Sequence, residues 1–433
     1  MSNVQNLFSQ PSFPLPYPGQ SFFGAGNLQI YINSGTFVVP QGVTRIRVRV
    51  WGAGGSGGCT CEVAQAGLAA GGGGGGFGMK VIDTTPGTSY TVTVGAGGAA
   101  VTGAARTNGN AGGTSSFGTA VTCTGGSGGA ANGGSSGTLT AAGGAGGTST
   151  GGDVNYSGGA GGSVTNSGYD AIGGNRRSNG AGGGSSGSIF GNGFAGGSIS
   201  QASTQNAEIN LATGGGGVGG KGGNLTSTAS YASNSVTGGG GTFSAASDTT
   251  DLSSGRVGGG FNCPIFPTAN QTGSAWNISG MGSNSFCSLP AETYNLYATN
   301  AAQTFLSTAS GAGGGYSTNA NLVGSYPTSA VRRFPGDILL SKAGPCAFSN
   351  NIMPQLDGCG GCGSDENVNT TSTQFKTAGA FGGGSGTADR GNNAVRGGDA
   401  SIAGGGGGTC GRSNPDAGTR SGAGGSGMII VEW

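Results

Sequence analysis

The chain has 433 residues, among them 105 glycines and 14 prolines, with 17 basic and 16 acidic side chains and no histidine at all. Proline is too scarce, and glycine too irregular over long stretches, for a collagen triple helix, while the low charge does not fit an ordinary disordered segment. A Ser-His-Asp triad cannot be built without histidine, and scattered charges without a basic stripe offer nothing to nucleic acid or to an anionic lipid surface. The expectation is therefore a protein that is not an enzyme, with no catalytic residues, no metal and no cofactor.

In chain order, the first twenty residues, MSNVQNLFSQPSFPLPYPGQ, lack a basic n-region and an apolar h-region, so no secretory signal is expected. No apolar run reaches about 18 residues, so no membrane insertion is expected either. Residues 1–27 crowd Phe8, Phe13, Tyr17, Phe22 and Phe23 around Pro14, Pro16 and Pro18. Proline favours extended, polyproline-like backbone without sheet donors, and an aromatic extended arm reads as a docking peptide for a partner.

The character changes at residue 28. Leu28–Ile32 and Gly35–Val39 read as strands, and Pro40-Gln41-Gly42 as a turn. From Thr44 to Trp51 the alternation is unbroken, with Ile46, Val48 and Val50 on one side and Arg45, Arg47 and Arg49 on the other. That pattern predicts a half-buried antiparallel strand with three cations on a solvated face. Phe77–Ile82, Tyr90–Val94 and Met428–Trp433 are further strands. The last of these needs a partner, because a lone strand is unstable. Residues 28–94 and 428–433 are thus expected to form one small antiparallel β-sandwich, with a large insertion between them.

Glycine clusters dominate the insertion, many of the form GGxGG: Gly125–Gly129, Gly143–Gly147 and Gly158–Gly162. A left-handed helix of the polyproline II type has three residues per turn, so GGx repeated along it leaves two faces bare and one decorated. Such a helix has no internal hydrogen bonds, and its buried N–H and C=O groups must find partners in neighbouring helices. Bare faces allow that approach. The expected fold is mostly β and irregular: the sandwich carries a polyglycine II helix bundle at 95–260, and residues 377–427 return to it. Residues 261–376 are poorer in glycine and form aromatic loops or a subdomain, within which Ala291–Leu306 reads as a short helix.

Nine cysteines are spread along the chain, with Cys359-Gly-Gly-Cys362 and Cys59-Thr-Cys61 as close pairs. A zinc site needs four ligands and the second spacing is not that of a knuckle, which leaves disulfides or buried thiols.

Residues Ser34–Gly58 (SGTFVVPQGVTRIRVRVWGAGGSGG), with TVTVGAGGAA, NGNAGGTSSFG at 108–118 and the ending GAGGSGMIIVEW, resemble the glycine-rich domains of bacteriophage tail-fibre and related virion proteins. The resemblance implies a virion fibre or tip adhesin, at the virion surface, that displays receptor-binding loops on a polyglycine II bundle. Its partners would be other virion proteins, engaged through residues 1–27, and a host surface glycan or outer-membrane protein. A homo-oligomer is expected. Aromatic faces stack on sugars, so the receptor-binding candidates are Trp276, Tyr294, Tyr297, Tyr316 and Tyr326. The alternative is a self-assembling filament or coat subunit whose arm docks into the next copy. Ice binding through a regular Ser/Thr face is a more remote possibility.

Overall fold

A computed structural model describes residues 27–61, 66–102, 106–170, 177–202, 209–228 and 419–433, with shorter stretches at 233–237, 239–240, 245, 248–250, 364–366, 381–389, 395–400 and 402–411. The described residues are all β-strand and extended chain, without a helix. The expected short helix at Ala291–Leu306 lies outside them, as does most of the expected aromatic block at 261–376.

The chain shuttles between two ends. Strands β1 (Leu28–Tyr31), β2 (Gly35–Val38) and β3 (Arg45–Trp51) start at the first end. The run 52–58 leads away to β4 (Cys59–Cys61) at the second. From β5 (Ala66–Ala69) the run 70–76 comes back to β6 (Phe77–Asp83), followed by β7 (Ser89–Thr93), β8 (Ser115–Phe117) and β9 (Val121–Cys123). Run 124–130 then leaves for β10 (Ala131–Gly134) and β11 (Ser136–Ala141), and run 142–148 returns to β12 (Ser149–Thr150) and β13 (Val154–Tyr156). The next strands, β14 (Val164–Asp170), β15 (Arg177–Gly180), β16 (Ile199–Ala202), β17 (Ile209–Ala212), β18 (Leu225–Ser227), β19 (Ser233–Val236) and β20 (Thr249–Thr250), all belong to the second end. So do β21 (Ser364–Glu366), β22 (Thr387–Asp389) and β23 (Thr409–Gly411), before β24 (Met428–Glu432) closes the first end.

The first end is two antiparallel sheets, ordered β1-β24-β3-β6-β13 and β12-β9-β8-β7-β2. Strand β24 lies between β1 and β3, with Ile430 paired to Ile30 on one side and Arg49 on the other. The alternation of β3 sends Ile46, Val48 and Val50 into a core shared with Phe37, Val92, Phe117, Val121, Ile429 and Val431 from the two sheets. The outward arginines are tied more closely than a solvated row. Arg45 binds Asp83 at 2.6 Å on the exposed surface, but Arg47 and Arg49 are half-buried and both grip the carboxylate of Glu432. The sequence offered no cue for that pairing, because Glu432 is brought to them by the far end of the chain.

At the second end, strands add in parallel. From β14 to β20 the chain alternates between the sheets β11-β14-β16-β18-β20 and β10-β5-β15-β17-β19. In-register stacking puts Val164 beside Ile199 and Ile199 beside Leu225. These side chains meet Leu68, Ile209 and Leu211 from the facing sheet in a second core. A polar layer runs through it: buried Arg177 donates to the Asn166 Oδ1 at 2.8 Å, and the Asn179 amide donates to Gln201 at 3.1 Å. A third sheet, β21-β22-β23-β4, is also parallel. These short strands are unannounced in the sequence except by isolated Val, Ile and Leu residues between glycine clusters.

Candidate functional site

Between the two ends the glycine runs hold one another. Run 70–76 shows how. Each N–H from Ala70 to Gly76 donates to a carbonyl of another run, at 2.7 to 3.2 Å. The partners rotate with period three: Ala70, Gly73 and Gly76 bond to Ala130, Ser127 and Thr124; Gly71 and Gly74 to Gly162 and Gly159; Gly72 and Gly75 to Gly406 and Ala403. Its carbonyls are taken up in the same rotation, by N–H groups of Gly52, Gly55 and Gly58, of Gly144 and Gly147, and of Gly184 and Gly187. Six runs therefore surround this one and use every amide in it. Buried backbone groups must be satisfied, and here the satisfaction comes entirely from side-by-side neighbours.

The spacing leaves no room for a side chain. A Cβ on Gly71, Gly73, Gly74 or Gly75 would lie on the carbonyl of Gly182, Ala145, Ser185 or Gly52, respectively. Outer runs need glycine at fewer positions. Thr124 and Ser127, or Ala142, Ala145 and Thr148, are exposed at every third residue, while Gly126, Gly129, Gly144 and Gly147 are buried. The unbroken Gly71–Gly76 thus belongs to a run enclosed on all sides, whereas the GGxGG runs 125–129, 143–147 and 158–162 keep one face to solvent. The outward decoration fails in enclosed runs, where Ala53, Ser56 and Ser185 are buried. Runs 52–58 and 70–76 lie between strands of the sandwich, so the array takes chain from both sides of residue 95.

Where a hydroxyl replaces a glycine contact, it enters the network. The Thr213 hydroxyl accepts from the Gly182 N–H at 3.2 Å and donates to the Gly197 carbonyl. One coil later the Thr237 hydroxyl does the same between Gly214 and Gly223. Ser185 accepts from the Phe194 N–H and donates to the Gly217 carbonyl, both at 2.8 Å. Thr213→Val keeps the shape and removes the bridge, leaving two buried backbone groups to be desolvated at about 1–3 kcal/mol each. The expected result is a fall of that order in unfolding free energy, read by denaturant titration, with Thr213→Ser restoring most of it.

An aromatic cap closes the array against the sandwich. Trp51 lies 4.8 Å from Phe77 and is stacked on Phe381 at 5.1 Å between ring centroids. Phe381 and Ala403 both adopt left-handed backbone, with φ of 67° and 59°, at the turns that enter their glycine runs.

Four cysteines, Cys59, Cys61, Cys123 and Cys410, are buried; the other five, including the Cys359/Cys362 pair, lie outside the described residues. Burial pushes the Cys123 and Cys410 thiols from 9.0 up to about 11. A raised thiol pKa favours the folded state below pH 9.0, and that contribution is lost as pH rises from there through about 11. Both thiols should resist alkylation at pH 8 until the protein is unfolded, as peptide mapping by mass spectrometry would read. Among the described residues no cluster of three or more Cys, Asp or Glu side chains is placed to hold a metal ion.

The receptor-binding candidates Trp276, Tyr294, Tyr297, Tyr316 and Tyr326 lie outside the described residues, as do the arm residues Phe8, Phe13, Tyr17, Phe22 and Phe23. The structure instead brings together what sequence reasoning treated as scaffold: two strand-built ends joined by mutually bonded glycine runs. That arrangement defines a glycine-rich, all-β class of protein. Consistently, residues 32–180 match the family model described as a glycine-rich domain. No curated protein matches the sequence.

Proposed function

We propose that this chain is a virion structural fibre or tip adhesin, made in a host cytoplasm and acting at the virion surface, in which a stiff polyglycine II helix bundle displays binding loops to the host cell. The rotation of hydrogen bonds around run 70–76 carries the mechanical half of this reading. Three residues per turn and bonding to neighbours alone are the properties of the polyglycine II helix. A run of seven residues would extend about 20 Å at the 3.1 Å rise of such a helix. Bundled runs, tied through every amide, resist bending as a unit. The resemblance of the chain's two ends to virion glycine-rich domains supplies the biological half. Chemistry is not part of the proposal, which needs no catalytic residue, cofactor or metal.

In this reading, residues 1–27 attach the protein to other virion proteins, and Trp276, Tyr294, Tyr297, Tyr316 and Tyr326 engage a host surface glycan or outer-membrane protein. The working form is a homo-oligomer, without nucleic-acid binding or membrane insertion. The competing filament reading differs in one measurable respect. Purified adhesin should stay at a fixed oligomeric state across concentration and bind host envelopes; a filament subunit should polymerise alone, as light scattering would show. Genes for tail or capsid proteins beside this one would support the first reading. A chain that neither neighbours such genes nor binds any envelope would overturn it.

A further inference from the structure

We propose that, until residues 1–27 engage another virion protein, the open side of the sandwich holds the uncharged aromatic segment that precedes it, residues 8–23 of the same chain.

Both sheets of the sandwich end on this side: β1 is the last described strand of one and β2 the last of the other. In an antiparallel strand, alternate residues turn their N–H and C=O groups toward the partner, so half of those on β1 face away from β24. Natural sheets protect such an edge with charge, proline or a bulge. Strand β1, Leu-Gln-Ile-Tyr, has none of these, and its register with β24 is unbroken. The side chains on its outer face are apolar and exposed: Leu28 by 48%, Ile30 by 47% and, just beyond it, Ile32 by 66%. The surface is built like half of an interface.

Three observations select the occupant. First, the charges match. No residue before Arg45 is Asp, Glu, Lys or Arg, so the preceding segment brings no ion of its own to this edge. Second, Phe22-Phe23 is separated from Leu28 by Gly24-Ala25-Gly26-Asn27. Two apolar stretches divided by a glycine-bearing link of three to five residues form a hairpin signal, and such a hairpin lays Phe22 and Phe23 along β1. Third, the area is small. A four-residue edge falls short of the roughly 1,200 Å² that a specific complex of free partners buries, which disfavours a second copy. A covalently tethered segment meets the same edge at an effective concentration in the millimolar range.

The test uses the full chain. Chymotryptic cleavage after Phe22 and Phe23 should be slow compared with a free peptide of residues 1–27. Leu28→Asp combined with Ile30→Asp should speed it about tenfold, because cleavage follows the population of the released segment. Near-UV circular dichroism checks that the sandwich persists. A second variant, Phe22→Ser with Phe23→Ser, leaves the edge intact and should accelerate hydrogen exchange at the amides of Leu28–Tyr31. Cleavage as fast as the free peptide in the unsubstituted chain overturns the proposal. Protection that rises with protein concentration overturns it in favour of a second copy. Both outcomes are separate from the adhesin reading, which fails on envelope binding rather than on protection of the segment.

Discussion

Gly73→Val should abolish the folded state. The added Cβ would fall on the carbonyl of Ala145, a backbone atom of a run that is itself bonded to its neighbours. Overpacking an ordinary core costs about 1–3 kcal/mol, because side chains can rotate away. Here the obstacle is main chain, and relief requires moving whole runs apart. Each separated pair then forfeits hydrogen bonds worth about 1 kcal/mol net apiece, and exposes partners that have no alternative. Because a domain's whole stability is about 5–15 kcal/mol, a few such losses exhaust it. The matched control is Ala145→Val, whose side chain points to solvent on the run next door, and which should change stability by no more than about 0.5 kcal/mol. Thermal melts followed by circular dichroism separate the two. Equal melting of both variants would show that the central run is not enclosed as described.

Removal of residues 428–433 should have a comparable effect by a different route. Strand β24 is the partner of both β1 and β3, and Met428, Ile429, Ile430 and Val431 are all buried. Its loss takes Ile429 and Val431 out of the sandwich core, Met428 and Ile430 out of the aromatic cap, and Glu432 away from Arg47 and Arg49. Four buried aliphatic side chains at about 1.5–3 kcal/mol each are of the order of the total stability. The truncated chain should be recovered only as aggregate, or should lack a cooperative unfolding transition. A soluble truncation with an unchanged melting profile would mean that the sandwich does not depend on its last strand.

Six of the sandwich strands, β1, β2, β3, β6, β7 and β24, were legible because their signals are local, whereas β8, β9, β12 and β13 fell in the stretch read as glycine bundle. Ile46, Val48 and Val50 alternate with arginine, and Pro40-Gln41-Gly42 marks a turn, so β3 can be drawn from eight residues. The three-residue rhythm of the outer glycine runs was legible for the same reason: Thr124, Ser127 and Ala142, Ala145, Thr148 carry their exposure in their spacing. Two features were not legible. The enclosed run 52–58 carries the same GGxGG pattern as the outer runs, and what distinguishes it is how many neighbours it has, a property of the whole array. The parallel strands of the second end are two to seven residues long, and Val164, Ile199 and Leu225 become a core only once successive coils stack them. Glu432 reaches Arg47 and Arg49 from the opposite terminus, beyond the range of any pattern along the chain. The aromatic residues chosen as receptor contacts fall outside the described part, so the candidate site that the structure does supply is the array itself.

The enclosed position of run 70–76 also governs when the protein can acquire its shape. The partners of this run include Gly406 and Ala403, more than about three hundred residues further along the chain. Contacts so distant in sequence carry a large loop-closure penalty before they return any stabilisation, which makes folding slow and postpones it until those later runs have been made. During that interval the glycine-rich polypeptide waits with its amides bonded to water, and the few apolar strands around it are the segments at risk of aggregation.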